Sequence, residues 1–270
     1  MKKRPSHTGG RRTLEGFGRV AVVTGGSSGI GRAIARELTA MNWRCVLIAR
    51  REDKLREVAA ELGAEFEICD VGDRAAVGRT ASAVLARHGK IALLVNNAGI
   101  PGRGSFLSTE PEQIEEVVRV NYLGGVWCLR GFLPGLKAAA PSDLVNIVSI
   151  AGTVAWPDSG PYSAAKHAQL AFSRAIGPEL APLGIRVHTI NPGLVETEGF
   201  PQHSRIASAL ARRLVAEPEL VASRVLRAVK LNRRESFVPA WYRPASVVQA
   251  LAPGLFARLL AARQTRGTAH

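Results

Sequence analysis

Short apolar runs rich in β-branched residues alternate along this chain with stretches of helical pattern, and that alternation limits the fold more than any other feature. Val20–Val23 runs into the turn Thr24-Gly25-Gly26-Ser27-Ser28-Gly29-Ile30-Gly31, and a helical pattern follows from Arg32 to Met41. Cys45–Ile48, Glu65–Ile68, Ile91–Val95, Leu144–Val148 and Ile185–Ile190 read as further strands, with Ser236–Val238 as a seventh. Helical patterns cover residues 52–62, 73–88, 110–138, 160–183 and a stretch near 218–231. Strands separated by helices need crossover connections, which make neighbouring strands parallel. No repeat, low-complexity tract or linker divides the chain. The expectation is one doubly wound α/β domain over residues 18–240, built on a parallel sheet of about seven strands. Residues 1–17 read as a basic disordered tail, and residues 241–270 as a helical extension.

An apolar content of 46% in 270 residues supports a sizeable core, and the scarcity of aromatics leaves it to Ala, Val, Leu and Ile. Lys and Arg total 36 against 22 acidic residues, a net charge of +14. The excess sits in the first dozen residues and in the last third. A balance this basic favours an anionic partner, such as nucleic acid, anionic lipid, an acidic carrier protein or a phosphorylated cofactor. No helix-turn-helix, zinc or RNA-binding signature accompanies the charge, so nucleic acid is not an expected partner. Cys45, Cys69 and Cys128 are far apart, lack metal-ligand spacing and read as small buried thiols. No metal site is expected, and reduced cysteines suit the cytoplasm. No apolar run is long enough to span a membrane, and none follows the basic start as a signal peptide would need. Arg11-Arg12 leads into Thr13-Leu14-Glu15-Gly16 rather than a hydrophobic segment, so it is not a twin-arginine signal.

The turn Gly25-x-x-x-Gly29-x-Gly31 lies between a strand and its helix. Glycines there permit a tight turn and close approach of a pyrophosphate, to which the helix N-terminus presents free N–H groups and partial positive charge. The spacing departs from the generic G-x-G-x-x-G. It resembles the T-G-x-x-x-G-x-G motif of the short-chain dehydrogenase/reductase family. Further motifs of that family follow in order: Asp70 closing the third strand, Asn96-Asn97-Ala98-Gly99 after the fourth, and Asn121 in the long helix. Ser149 follows the fifth strand, Tyr162-Ser-Ala-Ala-Lys166 comes next, and Asn191-Pro192-Gly193 follows the sixth. The resemblance spans about residues 18–200. It implies a Rossmann-like sheet of order 3-2-1-4-5-6-7 and an enzyme that interconverts a carbonyl and an alcohol. It also implies cofactor contacts at Gly25, Ser27, Ser28, Gly29, Ile30, Gly31, Asp70, Val71, Asn97, Ala98, Gly99, Pro192, Gly193, Val195 and Thr197.

An enzyme preferring NAD usually carries an acidic residue after the second strand, where it binds the ribose 2′-hydroxyl. Here Ala49 holds that position, and Arg50 and Arg51 follow it. A carboxylate would repel a 2′-phosphate, whereas guanidinium pairs with it in forked geometry. In the resembled family this pattern goes with NADP(H). The alternative is that both arginines merely cap a strand.

Tyr162 and Lys166 lie one helical turn apart and project from one face. A free tyrosine has a pKa of about 10, and a nearby ammonium lowers it. Such a spacing is common on helices and gains weight only beside Ser149 and the cofactor motifs. The resemblance assigns proton transfer to Tyr162 and carbonyl binding to Ser149. It assigns cofactor-ribose binding and tuning of the tyrosine to Lys166, and a water linking Lys166 to solvent to Asn121. Residues 194–216 are the expected substrate flap, apolar with a basic rim. Residues 244–266 carry an apolar stripe with basic flanks, which suits packing on the domain, on a second subunit or on an anionic membrane surface. The expected substrate is an apolar ketone or aldehyde. A 3-oxoacyl carrier-protein substrate and a non-catalytic cofactor-sensing or scaffold role are the alternatives. Relatives pair through helices corresponding to 110–138 and 160–183, which implies a homodimer or homotetramer.

Overall fold

The computed structural model describes residues 14–102, 104–202, 215–254 and 256–258. Seven parallel strands form one sheet in the order β3-β2-β1-β4-β5-β6-β7. They are β1 (Val20–Thr24), β2 (Arg44–Ala49), β3 (Glu65–Ile68), β4 (Leu93–Asn96), β5 (Ser142–Ile147), β6 (Ile185–Pro192) and β7 (Glu235–Val238). The helices are α1 (Gly29–Ala40), α2 (Glu52–Leu62), α3 (Arg74–His88), α4 (Pro111–Val118), α5 (Gly124–Ala138), α6 (Gly160–Leu180), α7 (Pro218–Lys230) and α8 (Arg243–Leu251). The expected strand order is therefore the observed one.

Side chains alternate across a strand, so a sheet buried on both faces sends successive apolar residues into two cores. In β1, Ala21 and Val23 join Ile34 and Leu38 of α1, Leu55 of α2 and Val225 of α7. Val20 and Val22 join Val77 of α3, Phe132 and Leu136 of α5, and Ile176 of α6 on the other face. Each buried Val, Leu, Ile or Phe contributes about 1.5–3 kcal/mol. Local signals set the helix ends. The Asp73 carboxylate accepts from the backbone N–H groups of Ala75 and Ala76 at 2.8 and 3.1 Å and so starts α3. Gly63 ends α2 in the left-handed region at φ 61°. Pro161 and Pro218 stand in the first turns of α6 and α7.

Two expectations change. The long helix over 110–138 is interrupted by a five-residue π turn, Arg119–Leu123, between α4 and α5. Leu14 and Gly16, expected in the tail, join the domain: the Leu14 carbonyl accepts from Trp43 Nε1 at 2.7 Å and the Gly16 N–H donates to the Met41 carbonyl at 2.9 Å. Trp43 needs a partner for its buried indole N–H, and the chain before β1 supplies it. The C-terminal extension packs on its own domain as far as it is described. The Ser246 and Thr153 hydroxyls pair at 2.7 Å, and Gln249 Oε1 accepts from the Ala155 N–H at 3.0 Å. Residues 203–214 of the expected flap and 259–270 of the extension lie outside the described residues. Among the described residues no helix is long and apolar enough to cross a membrane, and no group of side chains could hold a metal ion. The three cysteines are unpaired and buried, and burial raises the Cys45 thiol to about 12.

Candidate active site

Parallel strands carry all their C-terminal ends to one edge of the sheet. Because the chain leaves β1 towards β2 on one side and β4 lies on the other, a crevice opens at that edge. It forms a trough of about 480 Å³, within the range of small-molecule sites. Every predicted cofactor and catalytic residue lines it except Gly31 and Asn121.

Gly31 shapes the trough from behind. A side-chain carbon there would overlap the Gly25 carbonyl and lie 2.6 Å from Asn97 Nδ2, so only glycine lets α1 meet the turn this closely. Gly25 and Gly29 take φ of 67° and 53°, which glycine adopts without strain. The turn ends at Ser28, ahead of the first N–H groups of α1. Sequence reasoning passed over Thr24. Its hydroxyl donates to the Val95 carbonyl at 3.2 Å and accepts from the Asn97 and Ala98 N–H groups at 2.9 and 3.0 Å. Thr24 thus uses its full hydrogen-bonding capacity to join the ends of β1 and β4. Asn97 returns the contact through Nδ2, which donates to the Thr24 carbonyl at 2.9 Å.

At the far end of the trough Asp70 accepts from the Gly72 N–H at 2.9 Å and lies 3.7 Å from Arg50. Arg50 also lies 3.5 Å from Glu116. Arg51 donates to Ser28 Oγ at 3.1 Å and to Glu198 at 2.7 Å. Lys54, on the first turn of α2, reaches the same Glu198 oxygen. Neither Lys54 nor Glu198 was foreseen, because the contact joins residues far apart in the chain.

At the opposite end Tyr162 and Lys166 project from the start of α6. Lys166 is buried, and its ammonium donates to the Ile147 carbonyl at 3.1 Å and to Gln169 Oε1 at 2.8 Å. Burial pulls its pKa down to about 7. Its Nζ stands 5.8 Å from the Tyr162 ring centre. Ser149 is buried after β5, and its Oγ accepts from the Ala151 N–H at 3.1 Å. Asn121 sits in the π turn, a distortion frequent at functional sites. Its amide pairs with both backbone groups of Ile100, at 2.8 and 2.9 Å, so the side chain braces the loop after β4 instead of facing the trough. Phe200 lies against the Tyr162 ring at 5.6 Å between centres, and Trp156 lines the same end. His167 bonds the Ser163 carbonyl on its own helix and is not in the trough.

Two residues beyond β7 complete this end. The Tyr242 hydroxyl accepts from the Leu194 N–H at 3.3 Å, and its ring covers Gly193 so closely that a side-chain carbon there would overlap it. Phe256 meets Trp156 edge to face at 6.0 Å.

A glycine turn at the switch point of a doubly wound sheet, with a crevice at that edge and a Ser, a Tyr and a Lys lining it, defines a nicotinamide-dependent oxidoreductase. The chain matches the short chain dehydrogenase family model over residues 19–205 and belongs to the short-chain dehydrogenase/reductase family, whose members act on CH–OH and C=O groups. It is 32% identical to a dehydrogenase/reductase SDR family protein 7-like from Anopheles gambiae over 88% of this chain and 81% of that protein. Among solved structures it is similar to a short-chain dehydrogenase/reductase from Burkholderia phymatum in complex with NAD, with TM-score 0.79, 26% identity and coverage of 89% and 96% of the two chains. It is also similar to a single-site variant of actinorhodin polyketide ketoreductase with NADPH, with TM-score 0.71, 33% identity and coverage of 80% and 90%.

Proposed function

We propose that the protein is an NADP(H)-dependent reductase of an apolar ketone or aldehyde. The observation that carries this reading is one trough with Arg50 and Arg51 at one end and Ser149, Tyr162 and Lys166 at the other. The bound cofactor would supply the hydride. The turn from Gly25 to Gly31 would hold its pyrophosphate at the N-terminus of α1. Asp70 and Val71 would meet the adenine, and Asn97, Ala98 and Gly99 the adjoining ribose. Pro192, Gly193, Val195 and Thr197 would hold the nicotinamide end. Guanidinium groups at the adenosine end favour a 2′-phosphate.

Tyr162 donates its phenolic proton to the carbonyl oxygen in reduction and takes it back in oxidation. Ser149 donates a hydrogen bond to the same oxygen and fixes its position. Lys166 holds positive charge near the phenol, which favours the phenolate and makes Tyr162 a better acid. Ile100, Trp156 and Phe200 give the substrate end an apolar lining. A second reading, an acyl thioester substrate, is favoured by the similarity to the actinorhodin polyketide ketoreductase. We expect a homodimer or homotetramer, and a cytoplasmic protein given three buried, unpaired thiols. Peripheral membrane contact through 244–266 rests on exposed Val247, Val248 and Leu251, and liposome pelleting tests it.

The test is oxidation of NADPH and of NADH against a panel of steroids, fatty aldehydes, quinones and acyl thioesters. NADPH is the expected better donor, and Tyr162→Phe is expected to lower kcat at least a hundredfold while leaving NADPH binding intact. Retained turnover in that variant would locate the acid elsewhere. Equal use of NADH, unchanged by Arg51→Ala, would remove the NADP(H) assignment.

A further inference from the structure

Arg51 precedes α2 and lines the trough, and Lys54 stands on the first turn of that helix. They are not held apart for an incoming anion. One oxygen of Glu198 bridges them, at 2.7 Å from Arg51 Nη1 and in direct contact with Lys54 Nζ. The other arm of the Arg51 fork donates to Ser28 Oγ at 3.1 Å, so the guanidinium is oriented between the glycine turn and Glu198. Hydrogen bonds from Lys54 and Arg51 hold the Glu198 carboxyl below the usual carboxylate range, so it is an anion at neutral pH. Glu198 and Arg51 both line the trough. Glu198 is about half exposed, as are its two partners, so solvent and other anions reach the cluster.

Glu198 stands on a tight turn that also carries Phe200. Thr197 and Phe200 pair across it, and the Phe200 N–H donates to both the carbonyl and the hydroxyl of Thr197, at 3.1 Å from each. The same short turn therefore touches the cation pair through Glu198 and the Tyr162 ring through Phe200.

We propose that Glu198 is an internal competitor for the 2′-phosphate of the cofactor: its carboxylate and that phosphate bind the same cation pair, Arg51 and Lys54. The inference rests on the NADP(H) reading above and adds Lys54 and Glu198 to the residues that set cofactor selectivity. Two anions cannot share one exposed cation pair without mutual repulsion, so Glu198 leaves Arg51 and Lys54 when a 2′-phosphate arrives. Its departure leaves the Thr197–Phe200 hydrogen bonds of the turn in place. A 2′-hydroxyl carries no charge and leaves Glu198 where it is. The residue thus moderates affinity for the phosphorylated cofactor.

Adenosine 2′-monophosphate tests the cation pair without reaching the nicotinamide end, and adenosine 5′-monophosphate is the control. Calorimetric titration of Glu198→Gln and Glu198→Ala is expected to give a Kd for the 2′-phosphate about threefold to tenfold lower than wild type, in keeping with two exposed ion pairs. The Kd for the 5′-phosphate is expected to stay within about twofold. An unchanged or higher Kd for the 2′-phosphate in both variants overturns the proposal. Arg51→Ala and Lys54→Ala separate the two readings. If both raise that Kd while the Glu198 variants do not lower it, the NADP(H) reading stands and the competitor is rejected. If neither raises it, both readings fall.

Discussion

Lys166 is a charged group that is almost wholly buried, and its ammonium rests on two neutral acceptors, the Ile147 carbonyl and Gln169. Burial lowers its pKa to about 7, against about 10.4 in an unfolded chain. The sign of the consequence follows from proton counts. Between these values the unfolded chain binds more protons, so this residue makes stability rise with pH. Its full cost is present below pH 7 and is relieved as pH climbs towards 10. Lys166→Met should abolish activity yet raise Tm over wild type, and by more at pH 6 than at pH 9. A Tm difference that stays constant across that range would show that the ammonium is better solvated than its contacts indicate. A buried ammonium kept at a cost to folding is consistent with the proton-transfer role proposed for its neighbour Tyr162.

The elements that position Tyr162 and the cofactor residues were largely legible as patterns. Runs such as Val20–Val23 and Cys45–Ile48 are apolar on both faces, and only a doubly covered strand suits that. The glycine turn and the Tyr-x-x-x-Lys spacing are local and could be read before any contact was known. The π turn at Asn121 could not, because one extra residue in a helical turn barely disturbs the apolar spacing. Thr24, Lys54, Gln169, Glu198 and Tyr242 were missed for a common reason: their partners are fixed by tertiary packing or by side-chain direction, which residue types do not encode. Tyr242, the residue just ahead of α8, offers the clearest test at this scale. A methyl group added at Gly193 would overlap the Tyr242 ring. Gly193→Ala should cost about 1–3 kcal/mol in urea unfolding, as overpacking does. In a Tyr242→Ala background the same change should cost little, giving a coupling of about 1 kcal/mol or more. Additive effects would mean that this ring does not cover Gly193 in solution.

Across the whole molecule, chemistry and structural charge occupy opposite edges of the sheet. The trough lies at the C-terminal ends of the strands. At the N-terminal ends of β5 and β6, Asp143 is buried and accepts from Arg186 at 2.7 and 2.6 Å and from His188 at 2.8 Å. His188 also meets the Arg233 carbonyl, joining β6 to the chain before β7. Burial by itself raises the Asp143 pKa, but hydrogen bonds from His188 and Arg186 and their charges outweigh it and hold the carboxyl below its ordinary value. That stabilisation is complete above the unfolded pKa of about 3.9 and is lost as pH falls through the depressed folded value. Asp143→Asn should lower stability by about 3 kcal/mol at pH 7, since it takes the buried carboxylate away from the partly buried Arg186. The gap from wild type should narrow below pH 4, and an equal gap at pH 3 and pH 7 in denaturant titrations would exclude the charged cluster as its source.

The brace of Tyr242 on Leu194 also has a consequence in time. A chain is synthesised from its N-terminus, and Tyr242 is added 48 residues after Leu194. The glycine turn, Ser149, Tyr162 and Lys166 are all made while the segment at Gly193 still lacks its cover. Completion of this end of the trough is therefore a late event of biosynthesis, and a nascent chain stalled before residue 240 would carry Ser149, Tyr162 and Lys166 without the cover over Gly193.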